Sequence, residues 1–276
     1  MTVGVVGIHG IGNRQAARTP EEAAANLGRR WTSAIRRGLG ADSGVEAVVA
    51  YYAHHLATDT AQGVGDPAQL TEPEQRLLLA WAGALDAPVE VAQGRLTQPA
   101  RAAADWIARR FGLSSRLVRL LVTTFCREVH CYLSDPIRRA AVQSTVADTI
   151  TAERARVVLA HSLGSVVAYE TLWAHPDLQV ELLITLGSPL GMPDVIVDRL
   201  QPTPVDRRGA RPPGVRRWIN IADPGDIVAI PRGLAGSFAG IDADLTTPVG
   251  VFDFHKVTGY LSTTTTAAAL ATLLGR

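Results

Sequence analysis

The chain has few cysteines, a single lysine and no strong net charge. Its two cysteines, Cys126 and Cys131, have a spacing that fits neither a disulfide framework nor a metal site. We interpret both as buried thiols of a protein in a reducing compartment. Only one of the 27 basic residues is a lysine, Lys256, which we attribute to codon bias. Because the net charge is +1 and the basic residues form no stripe, we expect no nucleic-acid partner.

The sequence contains no long apolar run, and we expect no secretory leader. The longest apolar runs, such as 77–85, are far below the roughly 20 residues that a membrane-spanning helix needs. The N-terminus enters an apolar segment at 3–8 without a basic region or a cleavage site. We therefore expect a cytoplasmic protein without integral membrane association. The sequence leaves its oligomeric state open.

Motifs of nucleotide-binding proteins are incomplete in this chain. A glycine-rich turn at 9–12, His-Gly-Ile-Gly, follows the first apolar segment, and such turns can hold phosphates. A dinucleotide site would need a third glycine where Gln15 stands, and a P-loop would need Gly-Lys-Ser or Gly-Lys-Thr, which occurs nowhere. His54 and His55 could pair on a metal, but neighbours on an extended strand point to opposite faces. We expect neither a cofactor nor a metal.

Short apolar segments alternate with amphipathic ones along most of the chain, which has 47% hydrophobic residues. The alternation predicts one α/β domain over 1–276, with a mainly parallel, doubly wound sheet and helices on both faces. Within 66–134 this alternation gives way to amphipathic helices alone, which predicts an inserted helical cap. The cap could be a lid over the substrate or simply the core of a helical subdomain. The predicted strands are 3–8, 45–52, 155–160, 180–186 and 215–221, and the predicted helices are 20–38, 72–86, 98–111, 113–134, 136–153, 163–174 and 257–274.

Two further segments carry predictions of their own. The Thr263 to Thr266 run is a poor helix former, so that the last helix could break there. Residues 202–214 are rich in proline and arginine and predict an exposed loop.

The segment 157–165 predicts a strand that turns sharply into a helix, with Ser162 at the turn. A serine held there adopts a strained backbone conformation, so the residues two before and two after it must be small. Ala160 and Gly164 meet that demand. Ser162 is therefore the candidate nucleophile, and the neighbouring His161 is expected to point away from it in a packing role.

A nucleophilic serine needs a base to take its proton, and the base needs an acceptor that fixes its tautomer. We expect the acid and the histidine base each to follow a later strand, with the acid before the histidine in the sequence. Asp223 and Asp226 follow the strand at 215–221. We favour Asp226 as the acid, with Asp223 as the alternative, because Asp223 suits a turn-forming role. His255, the only late histidine, is the candidate base.

Acyl transfer also needs hydrogen-bond donors for the oxyanion of the transition state. The backbone N–H of Leu163, directly after the nucleophile, is the first candidate. The second is the backbone N–H of Ile11 in the glycine-rich turn, whose other members, His9 and Gly10, are expected to line the same site.

In this arrangement the sequence resembles the α/β-hydrolase superfamily, and within it the lipase and esterase branch. Four features occur in the order typical of that group: the turn at 9–12, the elbow at 160–164, Asp-Pro-Gly-Asp at 223–226, and His255 before the last helix. Ala160 replaces the usual first glycine of the elbow, as it does in some lipases.

The resemblance covers residues 1–52 and 136–276 and implies a role for each candidate. It implies that Ser188, in the loop after the strand at 180–186, borders the site. The implied triad is Ser162, His255 and Asp226, and the implied oxyanion donors are Ile11 and Leu163.

The implied activity is hydrolysis of a carboxylic ester through an acyl-enzyme, with a small-molecule acyl substrate and no cofactor. The apolar character of the insertion 66–134 favours a medium or long, apolar acyl group. Thioesterases, peptidases and acyl-transferring or cyclising enzymes share this machinery. A non-catalytic interaction module of the same fold is the alternative from another class, and the intact set of candidate residues argues against it.

Overall fold

A six-stranded parallel sheet forms the centre of the molecule, described here from a computed structural model that covers residues 4–57, 65–94, 98–250 and 255–274. The strands are β1 (Val5–Ile8), β2 (Ala47–Ala50), β3 (Val157–His161), β4 (Val180–Leu186), β5 (Gly209–Ala210), β6 (Val215–Ala222), β7 (Phe238–Ala239) and β8 (Ala243–Thr246). The sheet order is β2-β1-β3-β4-β6-β8, and all its neighbours run parallel. Strands β5 and β7 form a separate parallel pair.

Helices cover both faces of this sheet. They are α1 (Pro20–Leu39), α2 (Glu72–Ala84), α3 (Val89–Ala92), α4 (Pro99–Arg110), α5 (Ser115–Ser134), α6 (Pro136–Ala152), α7 (Leu163–Ala174), α8 (Val257–Leu261) and α9 (Thr264–Leu274). Successive side chains of a strand point to opposite faces. In β3, accordingly, Val157 packs into a cluster with Trp31 of α1 and Leu270 of α9, whereas Val158 packs into the cluster of α2 and α4 to α7. The predicted α/β class, with a parallel sheet and flanking helices, is confirmed.

The helices between β2 and β3 share the core of one sheet face. Trp81 of α2 is fully buried, packs its ring 4.6 Å from that of Phe125 in α5, and donates a hydrogen bond of 2.8 Å from Nε1 to the carbonyl of Ile227. Helix α5 continues almost directly into α6 through Asp135. That this segment acts as a cap or lid stays a prediction.

Local signals explain where several helices begin and end. Helix α1 begins with a capping box, in which Thr19 accepts from the Glu22 N–H and Glu22 accepts from the Thr19 N–H. The last predicted helix is divided into α8 and α9 at Ser262 and Thr263, next to the threonine run. Among the described residues no helix has the length and hydrophobicity needed to cross a membrane.

The chain path departs from the sequence predictions in several places. Strand β8 at the sheet edge was not predicted, because its residues alternate between half-buried and exposed and include Asp244, so no apolar run marks it. The predicted loop at 202–214 contains the short strand β5, whose Gly209 is buried. His54 and His55 lie in a turn after β2 rather than on a strand, and their rings are 3.9 Å apart on the same side.

The parallel sheet brings the carboxyl ends of its strands to one edge. The turns and loops after β1, β3, β4 and β6 therefore all emerge there, as is typical of ligand sites in open α/β sheets. These are the segments that carry the glycine-rich turn, Ser162, Ser188 and the two candidate aspartates.

Candidate active site

Ser162 occupies the sharp turn between β3 and α7. Its backbone has φ 54° and ψ −129°, a strained conformation for a residue with a side chain, and it is fully buried. The Ser162 N–H donates to the carbonyl of Leu186 in β4, at 3.0 Å, which ties the turn to the neighbouring strand. The strand, turn and helix around the serine match those predicted from the sequence.

Close packing of the backbone around Ser162 requires two glycines. A Cβ atom on Gly164 would collide with the carbonyl oxygens of Ile8 and His9. A Cβ atom on Gly10 would lie 2.6 Å from the Ser162 Cβ. The end of β1 therefore lies directly against the nucleophile turn. Ala160, two residues before Ser162 in β3, is the other small residue that the turn requires, and it is fully buried.

His255 connects Ser162 to Asp226. Its Nε2 lies 2.8 Å from the Ser162 Oγ, and its Nδ1 lies 2.8 Å and 3.0 Å from the two carboxylate oxygens of Asp226. The side chain of His255 is 9% exposed and that of Asp226 is fully buried. Because an ionised carboxylate only accepts, Nδ1 carries the proton and Nε2 is left to accept from the serine hydroxyl.

The two candidate aspartates make different contacts. Both carboxylate oxygens of Asp226 face the His255 Nδ1; Oδ1 also accepts the Val228 N–H at 2.8 Å, and Oδ2 also accepts the Tyr260 hydroxyl at 2.7 Å. Asp223 instead accepts the backbone N–H of Gly225 and of Val249, each at 2.6 Å, on its two oxygens. The structure thus places Asp226 against the histidine, whereas Asp223 shapes the loop.

Side chains fix the glycine-rich turn from both sides. The Asn13 amide donates to the carbonyls of Gly10 and Ile11, at 3.0 Å each. The Gly12 N–H donates to the Glu128 carboxyl of α5 at 2.9 Å. On the other side of the serine, Leu163 is the first residue of α7, so its N–H has no partner within that helix. The oxyanion roles of the Ile11 and Leu163 N–H groups stay predictions.

The His9 side chain stabilises the glycine-rich turn at 9–12. Its ring stacks 4.1 Å from that of Tyr52, its Nε2 accepts the Tyr52 N–H at 3.2 Å, and its Nδ1 donates to the carbonyl of Gly10 at 2.8 Å. The Tyr52 hydroxyl also donates to the His9 carbonyl. Burial lowers the pKa of His9 to about 4, so the ring is neutral at physiological pH.

His161 packs against the candidate base. Its ring centre lies 4.7 Å from that of His255, and both burial and the neighbouring His255 lower its pKa well below the usual range. A neutral imidazole there supports one face of His255 without adding a competing charge. The expected packing role fits these contacts.

Ser188 is connected to the nucleophile turn through the Ser165 hydroxyl. The Ser165 hydroxyl donates to the Ser162 carbonyl at 2.6 Å, and Ser188 Oγ lies 2.7 Å from Ser165 Oγ. Because the single Ser165 proton is used for that carbonyl, Ser188 must be the donor to Ser165. Ser188 in turn accepts the Leu190 N–H at 3.2 Å. This chain of hydrogen bonds holds the backbone of the turn rather than the reacting oxygen.

Two residues of this region were missed by the sequence analysis. Tyr260 of α8 donates to Asp226, and its only sequence signal is its position five residues after His255. Glu128 of α5 has no such signal, because it comes from a helix far away in the chain. Burial raises the pKa of the Glu128 carboxyl to about 7.

Neither the histidine pair nor the cysteines add to the site. His55 Nε2 lies 3.1 Å from the Thr145 hydroxyl, and both cysteines are free thiols, Cys126 buried and Cys131 partly so. The described residues contain no group of three His, Cys, Asp or Glu side chains that could hold a metal ion.

Comparison with known proteins returns no relative. Neither the models of protein families, nor the curated proteins, nor the solved structures contain a match to this chain. What this chain can do is therefore inferred from the geometry of its site.

Proposed function

We propose that this chain is a serine hydrolase of the α/β-hydrolase fold that cleaves carboxylic esters. The observation that carries the proposal is the continuous hydrogen-bonded path from Ser162 through His255 to Asp226, with both bonds at 2.8 Å. A serine with a purely structural role does not require a strained turn that directs its hydroxyl to a histidine, whereas a nucleophilic serine requires both.

The reaction would proceed in two steps. His255 takes the Ser162 proton as the serine oxygen attacks the ester carbonyl, and the resulting imidazolium protonates the departing alcohol. Water then attacks the acyl-serine with His255 again as the base, which releases the acid and restores Ser162. Asp226 stays ionised throughout and stabilises the imidazolium.

The developing oxyanion would be bound by backbone donors. In this proposal they are the N–H groups of Leu163, at the start of α7, and of Ile11, in the turn that Asn13 and Glu128 hold. Donors fixed before the reaction starts are the more effective ones, and loss of one reduces the rate about 10²- to 10³-fold.

A nucleophile, a base and backbone donors suit acyl transfer in general, and we choose esters as the first substrates because the resemblance of the elbow and the glycine-rich turn is to lipases and esterases. The direct test is the turnover of p-nitrophenyl esters of increasing acyl length by the wild-type protein and by Ser162→Ala. We expect turnover that the substitution abolishes. If thioester or amide substrates turn over and esters do not, the ester assignment is wrong; equal turnover by both proteins would refute the nucleophile.

A further inference from the structure

We infer that Tyr260 is a positioning residue of this site: its hydroxyl fixes the Asp226 carboxylate that in turn orients His255. The inference rests on the proposed function. Tyr260 is fully buried in α8, and its hydroxyl lies 2.7 Å from Asp226 Oδ2. That same oxygen is the one closest to the His255 Nδ1, at 2.8 Å.

The direction of the Tyr260 proton follows from its partners. The Tyr260 oxygen accepts the backbone N–H of Asp223 at 2.8 Å. A phenol has only one proton, and the Asp226 carboxylate is an acceptor. The hydroxyl therefore donates to Asp226, and one tyrosine links the backbone of one candidate aspartate to the side chain of the other.

The phenol remains a donor over the whole working pH range. Burial, followed by the negative charge of Asp226, raises the pKa of Tyr260 far above its usual range. Protonated Tyr260 thus supplies a permanent hydrogen bond to an oxygen that also serves His255.

The surrounding backbone leaves the pair little freedom to move. Gly187, at the end of β4, has φ +54°, and a Cβ on it would lie 2.7 Å from Asp226 Oδ2 and 3.0 Å from the Tyr260 ring. The other carboxylate oxygen is held by the Val228 N–H. Loss of the Tyr260 hydroxyl would therefore remove one of the few restraints on Asp226.

Two kinetic consequences follow for Tyr260→Phe. Without the hydroxyl the carboxylate is less firmly oriented, and we expect kcat to fall about tenfold, since small misplacements near the reacting groups reduce rates by up to about a hundredfold. Without the Tyr260 hydrogen bond, the Asp226 carboxylate also interacts more strongly with His255, which favours the protonated imidazole. The acidic limb of the pH–rate profile should therefore move to higher pH, by up to about one unit.

Tyr132→Phe provides a matched control. Tyr132 is also fully buried, and its hydroxyl donates to the carboxyl of Glu170 at 2.6 Å, outside the hydrogen bonds of Ser162, His255 and Asp226. Both variants lose a buried bond from a tyrosine to a carboxyl group, so both should lower the melting temperature. Only Tyr260→Phe should change kcat and the pH profile, with KM unchanged.

The experiment measures kcat, KM, the pH profile and the melting temperature for wild type and both variants with p-nitrophenyl butyrate. If Tyr260→Phe folds poorly, replacing Tyr260 with 3-fluorotyrosine keeps the shape and strengthens the donor, which should move the acidic limb to lower pH. Wild-type kinetics in Tyr260→Phe, no displacement of the limb with fluorotyrosine, or equal kinetic effects in Tyr132→Phe would overturn the inference while leaving the proposed function intact. A well-folded wild type without ester turnover would instead overturn the proposed function.

Discussion

The Glu128 carboxyl provides a quantitative test of the contact between α5 and the glycine-rich turn. Its Oε1 accepts the Gly12 N–H, whereas its Oε2 is shielded from water and has no hydrogen-bond partner among the described residues. Burial without a compensating partner disfavours the charged form, and it raises the pKa from 4.5 to about 7. Glu128→Gln keeps an oxygen for the Gly12 N–H and removes the charge.

The sign of the effect follows from the raised pKa. The native protein retains the Glu128 proton at pH values where the unfolded chain has lost it, so this group favours folding below about pH 4.5 and loses that contribution as the pH rises through about 7. The full shift corresponds to about 3 kcal/mol. Although the Oε2 atom is shielded, the residue as a whole is half-buried and water screens part of the effect, so we expect about 2 kcal/mol.

The assay is urea-induced unfolding of wild type and Glu128→Gln between pH 5 and 8. The variant should be only slightly the more stable near pH 5, where the unfolded chain has begun to lose the Glu128 proton, and the difference in unfolding free energy should grow to about 2 kcal/mol at pH 8. The buried histidines titrate in both proteins, so their contributions cancel in the difference. Glu153→Gln, at an exposed position, is the matched control and should show no such pH dependence. A difference that does not change with pH would refute the reasoning.

Two further predictions concern the nucleophile turn and the choice of acid. Gly164→Ala places a Cβ against the carbonyl oxygens of Ile8 and His9 and should lower the unfolding free energy, measured by urea titration, by about 3 kcal/mol. Gly236→Ala, with open space around it, is the control and should have little effect. Equal losses of stability in the two variants would contradict the packing of Gly164 against β1. Asp226→Asn should reduce kcat about 10⁴-fold by reversing the histidine tautomer. Asp223→Asn should lower stability, because one amide oxygen cannot accept both the Gly225 and the Val249 N–H. It should reduce kcat by less than about tenfold. If Asp223→Asn reduced kcat more than Asp226→Asn, Asp223 would be the triad acid.

Local chemistry explains why much of the fold could be predicted from sequence. Helix α7 begins and ends at the predicted residues, 163 and 174, since it starts at the serine turn and carries a continuous buried run. Strand β8 could not be found in this way. It pairs with β6 at the sheet edge, and its Asp244 carboxylate also accepts the N–H groups of Leu234 and Ala235 and the Asn220 amide. Neither an edge position nor such side-chain bonds leave an apolar pattern in the sequence.

The candidate site was predictable to the level of residue types and their order. The sequence could not fix which of Asp223 and Asp226 faces His255, because the two lie three residues apart in one loop and differ only in the contacts that the folded loop gives them. Tyr260 and Glu128 contribute through contacts made in three dimensions, from a helix after the base and from a helix before the nucleophile. No spacing rule connects either residue to the elbow.

The central claim is that Ser162 is an activated nucleophile, and covalent labelling tests it most directly. Wild type and Ser162→Ala, both checked for folding by circular dichroism, are treated with a fluorophosphonate and analysed by intact mass and peptide mapping. We predict one adduct on wild type, located on Ser162, and none on the variant. An adduct that persists in Ser162→Ala, or a folded wild type that is not labelled, would contradict the account.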